Sequence, residues 1–235
     1  MFMARLPRLV LANQPHYIIQ RGNDSQLIFR DDEDYAQFLA WLKESAREFK
    51  VAIHAYALMP NQLHLLASPA SAEGLAQMMQ RLGRYYVPWF NAKHGRSGGL
   101  FQGRFKTSLI DSAKYFMLCS RYVERNPVRQ QLAAEPQDYK WSSYAHHAGI
   151  RPDPVVTDHA LYWALGNTPF QREAAYIELS QPQLSQQDLS VIDASVLKGW
   201  PLGSDAFKTE LEAKAKRQVL PAKRGRPFKI KPAAG

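Results

Sequence analysis

A chain of 235 residues with 46% hydrophobic content can bury one large core, or one domain carrying an extension. No apolar run approaches the roughly 18 residues that span a bilayer, Met1 to Ala12 lack a leader's apolar core and cleavage site, and a single cysteine, Cys119, excludes an intrachain disulfide and a multi-cysteine zinc site; cytoplasmic residence is expected, without membrane partners. The net charge of +9 is uneven: eight Lys or Arg and no acid follow Glu212, leaving +1 for the rest, and nucleic acid is the commonest partner of such an arm, ahead of a membrane surface or plain solubility.

In chain order, His16 to Arg21 reads as a strand stopped by the turn cluster Gly22-Asn23-Asp24. Asp31 to Asp34 favour a helix N-terminus, and Tyr35, Phe38, Leu39, Leu42, Ala46 and Phe49 continue it at helical spacing to Lys50. Val51 to Leu58 and Gln62 to Ala67 form a predicted hairpin about Met59-Pro60-Asn61. A second helix follows Pro69-Ala70-Ser71, with Leu75, Met78, Met79, Leu82, Tyr85 and Trp89 on one face and a bend expected near Pro88. Leu100 to Ile110 is a predicted strand, and a third helix runs from about Ser112 to Asn126 with the stripe Tyr115, Leu118, Cys119, Tyr122.

The order β-α-β-β-α-β predicts an α+β fold: a ferredoxin-like (RRM-like) antiparallel sheet with packed helices. Residues 5–148 are expected to form this domain, with Trp141-Ser-Ser-Tyr144 packing back on it. Residues 149–212 are expected to add a helical C-terminal extension, patterned over 156–180 and 185–216, and 213–235 a basic tail.

The chemistry centres on Met59 to Ala67. In a strand of period two, Leu63 and Leu65 face one way while Gln62 and His64 face the other, so two ligand-type side chains share a sheet face. A histidine opposite an apolar strand face is more often merely solvated or hydrogen-bonded, so this pair alone decides nothing. Tyr122 and Asn126 are four residues apart and project from one face of the third helix. The carboxamides of Gln62 and Asn126 with the His64 imidazole make a mixed O/N set suited to Mg²⁺ or Mn²⁺. Beside such a site a phenol with a pKa of about 10 becomes a usable nucleophile toward a phosphate. On spacing alone Tyr122 is equally a core aromatic, and Asn126-Pro127 is equally a helix end.

Residues 74–110 hold Arg81, Arg84, Lys93, Arg96, Arg104 and Lys106, no acid, and interleaved aromatics, a composition that suits single-stranded nucleic acid although several of those rings must be core. Arg21, Arg121, Arg125 and Arg129 extend the candidate DNA contacts beside Tyr122. In the tail, Lys223-Arg-Gly-Arg-Pro-Phe-Lys229 resembles an AT-hook, in which Arg224 and Arg226 would enter the minor groove of A/T-rich duplex.

Four segments in order carry a wider resemblance: Tyr17-Ile-Ile-Gln-Arg-Gly-Asn23, Tyr56-Ala-Leu-Met-Pro-Asn-Gln-Leu-His-Leu-Leu66, Leu100-Phe-Gln-Gly-Arg-Phe-Lys106 and Arg121-Tyr-Val-Glu-Arg-Asn-Pro-Val-Arg129. Together they are similar to the single-tyrosine HUH transposases, particularly the REP-associated tyrosine transposases, over residues 5–148. Gly199 to Ser204 and the basic tail are similar to the C-terminal extension of some members. The resemblance implies a metal-dependent endonuclease and strand transferase acting on hairpin-bearing single-stranded DNA through a 5′-phosphotyrosine intermediate. Tyr122 matches the nucleophile, Asn126 the helix-borne ligand and His64 the second histidine of the His-hydrophobic-His motif. Gln62 stands where the first histidine belongs, which implies weaker, more Mg²⁺-like binding or a non-catalytic DNA-binding regulator on the same scaffold. An RNA-binding module is disfavoured, because the aromatic strand signature of RNA-recognition sheets is absent. The DNA sequence recognised and the oligomeric state are not legible.

Overall fold

The computed structural model describes residues 8–215 and Val219, so the candidate contacts Arg224 and Arg226 lie outside the described residues. No helix among those described is long and apolar enough to cross a membrane.

Four strands, β1 (His16–Arg21), β2 (Val51–Met59), β3 (Gln62–Pro69) and β4 (Lys106–Leu109), make one antiparallel sheet in the order β2-β3-β1-β4. This is the split βαβ arrangement, with α1 (Asp32–Glu48) and α2 (Gly74–Lys93) packed on one face and α3 (Ser112–Glu124) on the other. Strand alternation sorts the residues: Ile18, Ile53, Leu63 and Leu65 meet α1 and α2, while Tyr17, Ile19 and Leu66 meet α3. Burial on both faces explains why β2 reads as an almost unbroken apolar run.

Asp31 caps α1 by accepting the Asp34 backbone N–H at 3.0 Å, as the acidic run predicts. Helix α2 continues through Pro88 to Lys93, and His94 closes it through a backbone bond to Phe90. The expected strand from Leu100 is much shorter. Ahead of Lys106 only Phe101 makes a bridge, to Gly22, and Gly103 takes a left-handed φ of 59° that turns the chain out of extended geometry. Gly22 itself admits no side chain, because a Cβ there would stand 2.1 Å from the Gln26 carbonyl oxygen.

Beyond α3 come the short helices α4 (Asn126–Arg129), α5 (Tyr144–His147) and α6 (Ala160–Trp163), then α7 (Pro169–Ser180), α8 (Gln186–Lys198) and α9 (Asp205–Ala215). Thr168 and Ser185 cap α7 and α8 at their N-termini, and Gly199 in the left-handed region, φ 70°, ends α8. Ile192, Val196 and Leu202 complete the core on the α3 face of the sheet, so the later helices share a core with the strands. Residues 141–143 and 156–157 run along β2: Leu58 N–H donates to Trp141, Ser143 N–H to Tyr56 and Thr157 N–H to Ile53. Leu202 runs beside the end of β4, donating to Leu109 and accepting from Asp111, both at 2.8 Å.

Three buried side chains make testable contributions. Glu124, fully buried at the end of α3, accepts hydrogen bonds from Ser143, from Tyr176 and from His147 Nδ1 at 2.7 Å, joining α3 to α5 and α7. Glu124→Ala strands those donors in a dry interior. A buried donor left without its acceptor costs about 1–3 kcal/mol, so the urea midpoint should fall by at least that much with unchanged slope.

His16 and His54 are buried, and burial lowers each pKa to about 4. Each is held by backbone: His16 Nδ1 donates to Gln14 and its Nε2 accepts from Leu11, while His54 Nδ1 donates to Thr157. Between pH 6.5 and 4 the unfolded chain binds protons that these rings refuse. Stability should therefore fall on acidification through that window by up to about 1.4 kcal/mol per pH unit per ring, and His16→Gln should remove about one proton from the slope of unfolding free energy against pH.

Candidate active site

The site forms where the exposed end of the β1–β3 pair meets the end of α3. Pairing of Arg21 with Gln62 and of Ile19 with His64 sets those four side chains on the α3 face, and Lys106, opposite Ile19, shares it. On α3 the buried stripe is Phe116, Cys119, Tyr122 and Val123, with Tyr115 and Leu118 only partly covered, so the helix is rotated slightly from its expected face. The single cysteine is enclosed there, and burial raises its thiol pKa.

Helix α3 does not run on to Asn126. It stops at Glu124, and α4 starts at Asn126 with Pro127 in its first turn, because Pro127 has no N–H with which to continue the ladder. Tyr122 and Asn126 thus sit on consecutive helices. They nonetheless line one cleft of about 520 Å³ together with Arg21, Gln62, His64 and Arg129.

His64 is almost wholly enclosed. Its Nδ1 is hydrogen-bonded to the Tyr17 hydroxyl, and its buried Nε2 has no hydrogen-bond partner. Burial first, then the positive charges of Arg129 and Arg21, lower its pKa to about 3, so the ring is neutral at physiological pH. A neutral imidazole with one ring nitrogen occupied and the other unpartnered beside two carboxamides is a donor set that fits a divalent cation.

The Tyr122 ring lies edge-to-face with Tyr17, centroids 5.6 Å apart, and the Arg129 guanidinium stands 3.9 Å from its centroid. Both terminal nitrogens of Arg129 are buried against the tyrosine without a well-formed hydrogen bond. The Tyr122 hydroxyl donates to Asp193 Oδ1 at 2.5 Å. Burial and then that bond raise the phenol's pKa, while the charge on Arg129 opposes them, so at rest the phenol holds its proton.

Residues 13–126 match a family model described as transposase IS200 like. Over those residues the chain is similar to the IS200-like transposases. In fold, the chain is similar to a REP-associated tyrosine transposase solved bound to a REP hairpin, with 15% identity, a TM-score of 0.51, and coverage of 67% of this chain and 96% of that one. A structure described as a "putative transposase from Deinococcus radiodurans R1" aligns at 15% identity and TM-score 0.35 over 52% of this chain and 97% of that one. No curated protein matches.

The IS200-like segment contains Gln62, His64, Tyr122 and Asn126 and ends at Asn126. The other basic residues fare unevenly. Arg84 and Arg104 are exposed, and Arg21 and Lys106 border the site face. Arg81 is paired with Glu44 and Glu48 of α1, and Lys93 with Asp31, Glu33 and Asp34 at 2.7–3.0 Å. Much of the acid-free run at 74–110 thus balances the acids of α1. Arg121 and Arg125 donate to the backbone carbonyls of Pro182 and Ser180, so they fasten the C-terminal end of α7 rather than present an open basic edge. Of the aromatics offered for base stacking, Tyr86, Phe90 and Phe105 are core and Tyr85 is exposed.

One further cluster among the described residues, Asp31, Asp34 and His94, has ligand atoms within 4.8 Å of one another. It belongs to the α1/α2 layer, on the opposite face from Tyr122, and the Lys93 ammonium already sits among its oxygens. It reads as an ion-pair clasp between two helices.

Sequence reasoning missed Tyr17, Glu124 and Asp193. Tyr17 was within reach, since it shares strand parity with Ile19 and so faces α3. Asp193 follows Ile192 and sits four residues after Leu189 on the border of the α8 stripe, but nothing in the chain pattern says that α8 folds back over Tyr122.

Proposed function

We propose that this protein is an IS200-like transposase that nicks and rejoins single-stranded DNA at hairpin repeats, with Tyr122 as the nucleophile. The observation that carries this reading is the convergence of the Tyr122 phenol, the unpartnered His64 Nε2 and the Gln62 and Asn126 carboxamides on one cleft. His64, Gln62 and Asn126 would hold Mg²⁺ or Mn²⁺, which when bound supplies a Lewis acid to the scissile phosphate. Arg129, whose guanidinium rests on the Tyr122 ring, would turn from it to hold phosphate oxygens beside the attacking atom. Arg21, Arg84, Arg104 and Lys106 track the backbone of the strand.

Attack by Tyr122 Oη on phosphorus breaks the P–O3′ bond and leaves a 5′-phosphotyrosine with a free 3′-hydroxyl. The link keeps the phosphodiester's energy, so resealing needs no nucleotide, consistent with a chain that lacks a Gly-x-x-x-x-Gly-Lys phosphate loop. In this reading residues 5–148 form the catalytic unit, 149–212 a helical extension covering the tyrosine, and 213–235 a tail that touches A/T-rich duplex. The working location is the cytoplasm, at the nucleoid when DNA is bound.

The test mixes the full chain with an end-labelled single-stranded hairpin in Mn²⁺ or Mg²⁺ and resolves the products on a denaturing gel. A covalent protein–DNA adduct supports the reading. Tight hairpin binding with no adduct, across hairpins cut by an active relative, favours the non-catalytic regulator.

A further inference from the structure

The resting Tyr122 phenol is protonated, so an attack by Oη needs somewhere for the proton to go. Most groups lining the cleft cannot take it. Arg21 and Arg129 have no acceptor, Gln62, Asn126, Gln130 and Gln186 are not bases, and His64 has one ring nitrogen engaged by Tyr17 and the other placed for a cation. Asp193 is the carboxylate that lines the cleft among the described residues, and its Oδ1 already accepts a hydrogen bond from the Tyr122 hydroxyl at 2.5 Å.

Its position is built rather than incidental. The neighbours Ile192 and Val196 are fully buried in the core on the α3 face. Ser195 Oγ lies 2.6 Å from both Ser108 Oγ and the Trp200 carbonyl, which pins α8 to β4. A carboxylate on a fastened helix is preorganised for one hydrogen bond.

We propose that Asp193 is the general base of the nicking step, taking the phenol proton of Tyr122 as the nucleophile attacks. The assignment rests on the tyrosine-nuclease reading above. A carboxylate is a weaker base than phenolate, so the proton moves as the Oη–P bond forms and the oxygen becomes acidic. In the balanced step Oη–P forms, P–O3′ breaks, the phenol proton passes to Asp193 Oδ1, and the 3′-oxygen takes a proton from water, releasing hydroxide to solvent. Resealing is the reverse: the 3′-hydroxyl loses its proton to hydroxide, P–O3′ forms, Oη–P breaks, and protonated Asp193 returns its proton to Oη.

The experiment compares full-length wild type, Asp193→Asn, Asp193→Glu and Tyr122→Phe in single-turnover adduct formation on a labelled single-stranded hairpin with Mn²⁺. Hairpin affinity is read in parallel by fluorescence anisotropy. Asp193→Asn should slow adduct formation by about 10²- to 10⁴-fold with affinity within about twofold, and Asp193→Glu should recover part of the rate. Without DNA or metal, the ζ-¹³C tyrosine resonance that disappears in Tyr122→Phe should move in Asp193→Asn. An Asp193→Asn protein that forms adduct as fast as wild type, or faster, overturns the assignment, as does a loss of rate matched by a loss of binding or an unmoved resonance. Absence of any adduct from wild type overturns the nuclease reading itself and this role with it.

Discussion

Tyr122→Phe should abolish the covalent adduct and cut hairpin nicking by on the order of 10⁴- to 10⁶-fold, the scale of removing a nucleophile from a working catalytic unit. Hairpin affinity should stay within about twofold. The substitution deletes one oxygen and leaves the ring, so the edge-to-face contact with Tyr17 and the Arg129 guanidinium over the ring both survive. The measurement is the denaturing gel beside anisotropy. Persistent nicking would remove Tyr122 from its role. The next phenol to test would be Tyr17, whose ring borders that of Tyr122 but whose hydroxyl is turned to His64.

His64→Ala should lower Mn²⁺ affinity by about 100-fold or more and depress nicking in parallel, read by calorimetric titration of the metal and by the adduct assay. The floor comes from outer-shell partners, whose loss alone costs about 10- to 100-fold in metal affinity. Tyr17→Phe falls in that outer class. It removes the hydroxyl that holds His64 Nδ1 and so orients the ring, and should cost about 10- to 100-fold while leaving His64 in place. His64→Ala also leaves the Tyr17 hydroxyl buried without its partner, at about 1–3 kcal/mol of stability, so thermal unfolding is measured alongside. Because burial and two arginines already lower the His64 pKa to about 3, metal affinity should vary little through protonation of this ring between pH 8 and 5, unlike that of a site built on an ordinary imidazole. Metal binding undiminished in His64→Ala would place the cation elsewhere, and the Asp31/Asp34/His94 group would be the next to mutate.

The sheet, and the faces of the side chains that line the cleft, were legible because both depend on short-range periodicity. Alternation at Gln62 to Leu65 gave the face of each side chain, and Asp31 to Asp34 marked the start of α1. Failures came where distant segments meet. The acid-free stretch at 74–110 looks like an open cationic surface until α1 supplies Glu44, Glu48 and Asp34 across the layer. Arg121 and Arg125 look available until the carbonyls at the C-terminal end of α7 arrive beside them. Four-residue spacing predicts a third helix through Asn126, but the missing N–H of Pro127 outweighs it and the helix stops at Glu124. Asp193 is the sharpest case: it lies 71 residues from Tyr122 in sequence, in a helix whose own pattern gives no hint of its destination.

The strands at the two sides of the sheet also bear on assembly. A bare outer strand is a row of unpaired N–H and C=O groups onto which another chain can add. Here residues 141–143 and 156–157 occupy the outer side of β2, and Leu202 occupies that of the four-residue β4. The protein therefore offers little template for edge-to-edge growth. Among the described residues, both edges thus disfavour self-association through a continuous sheet, and trimming the chain before Leu202 should uncover the β4 edge.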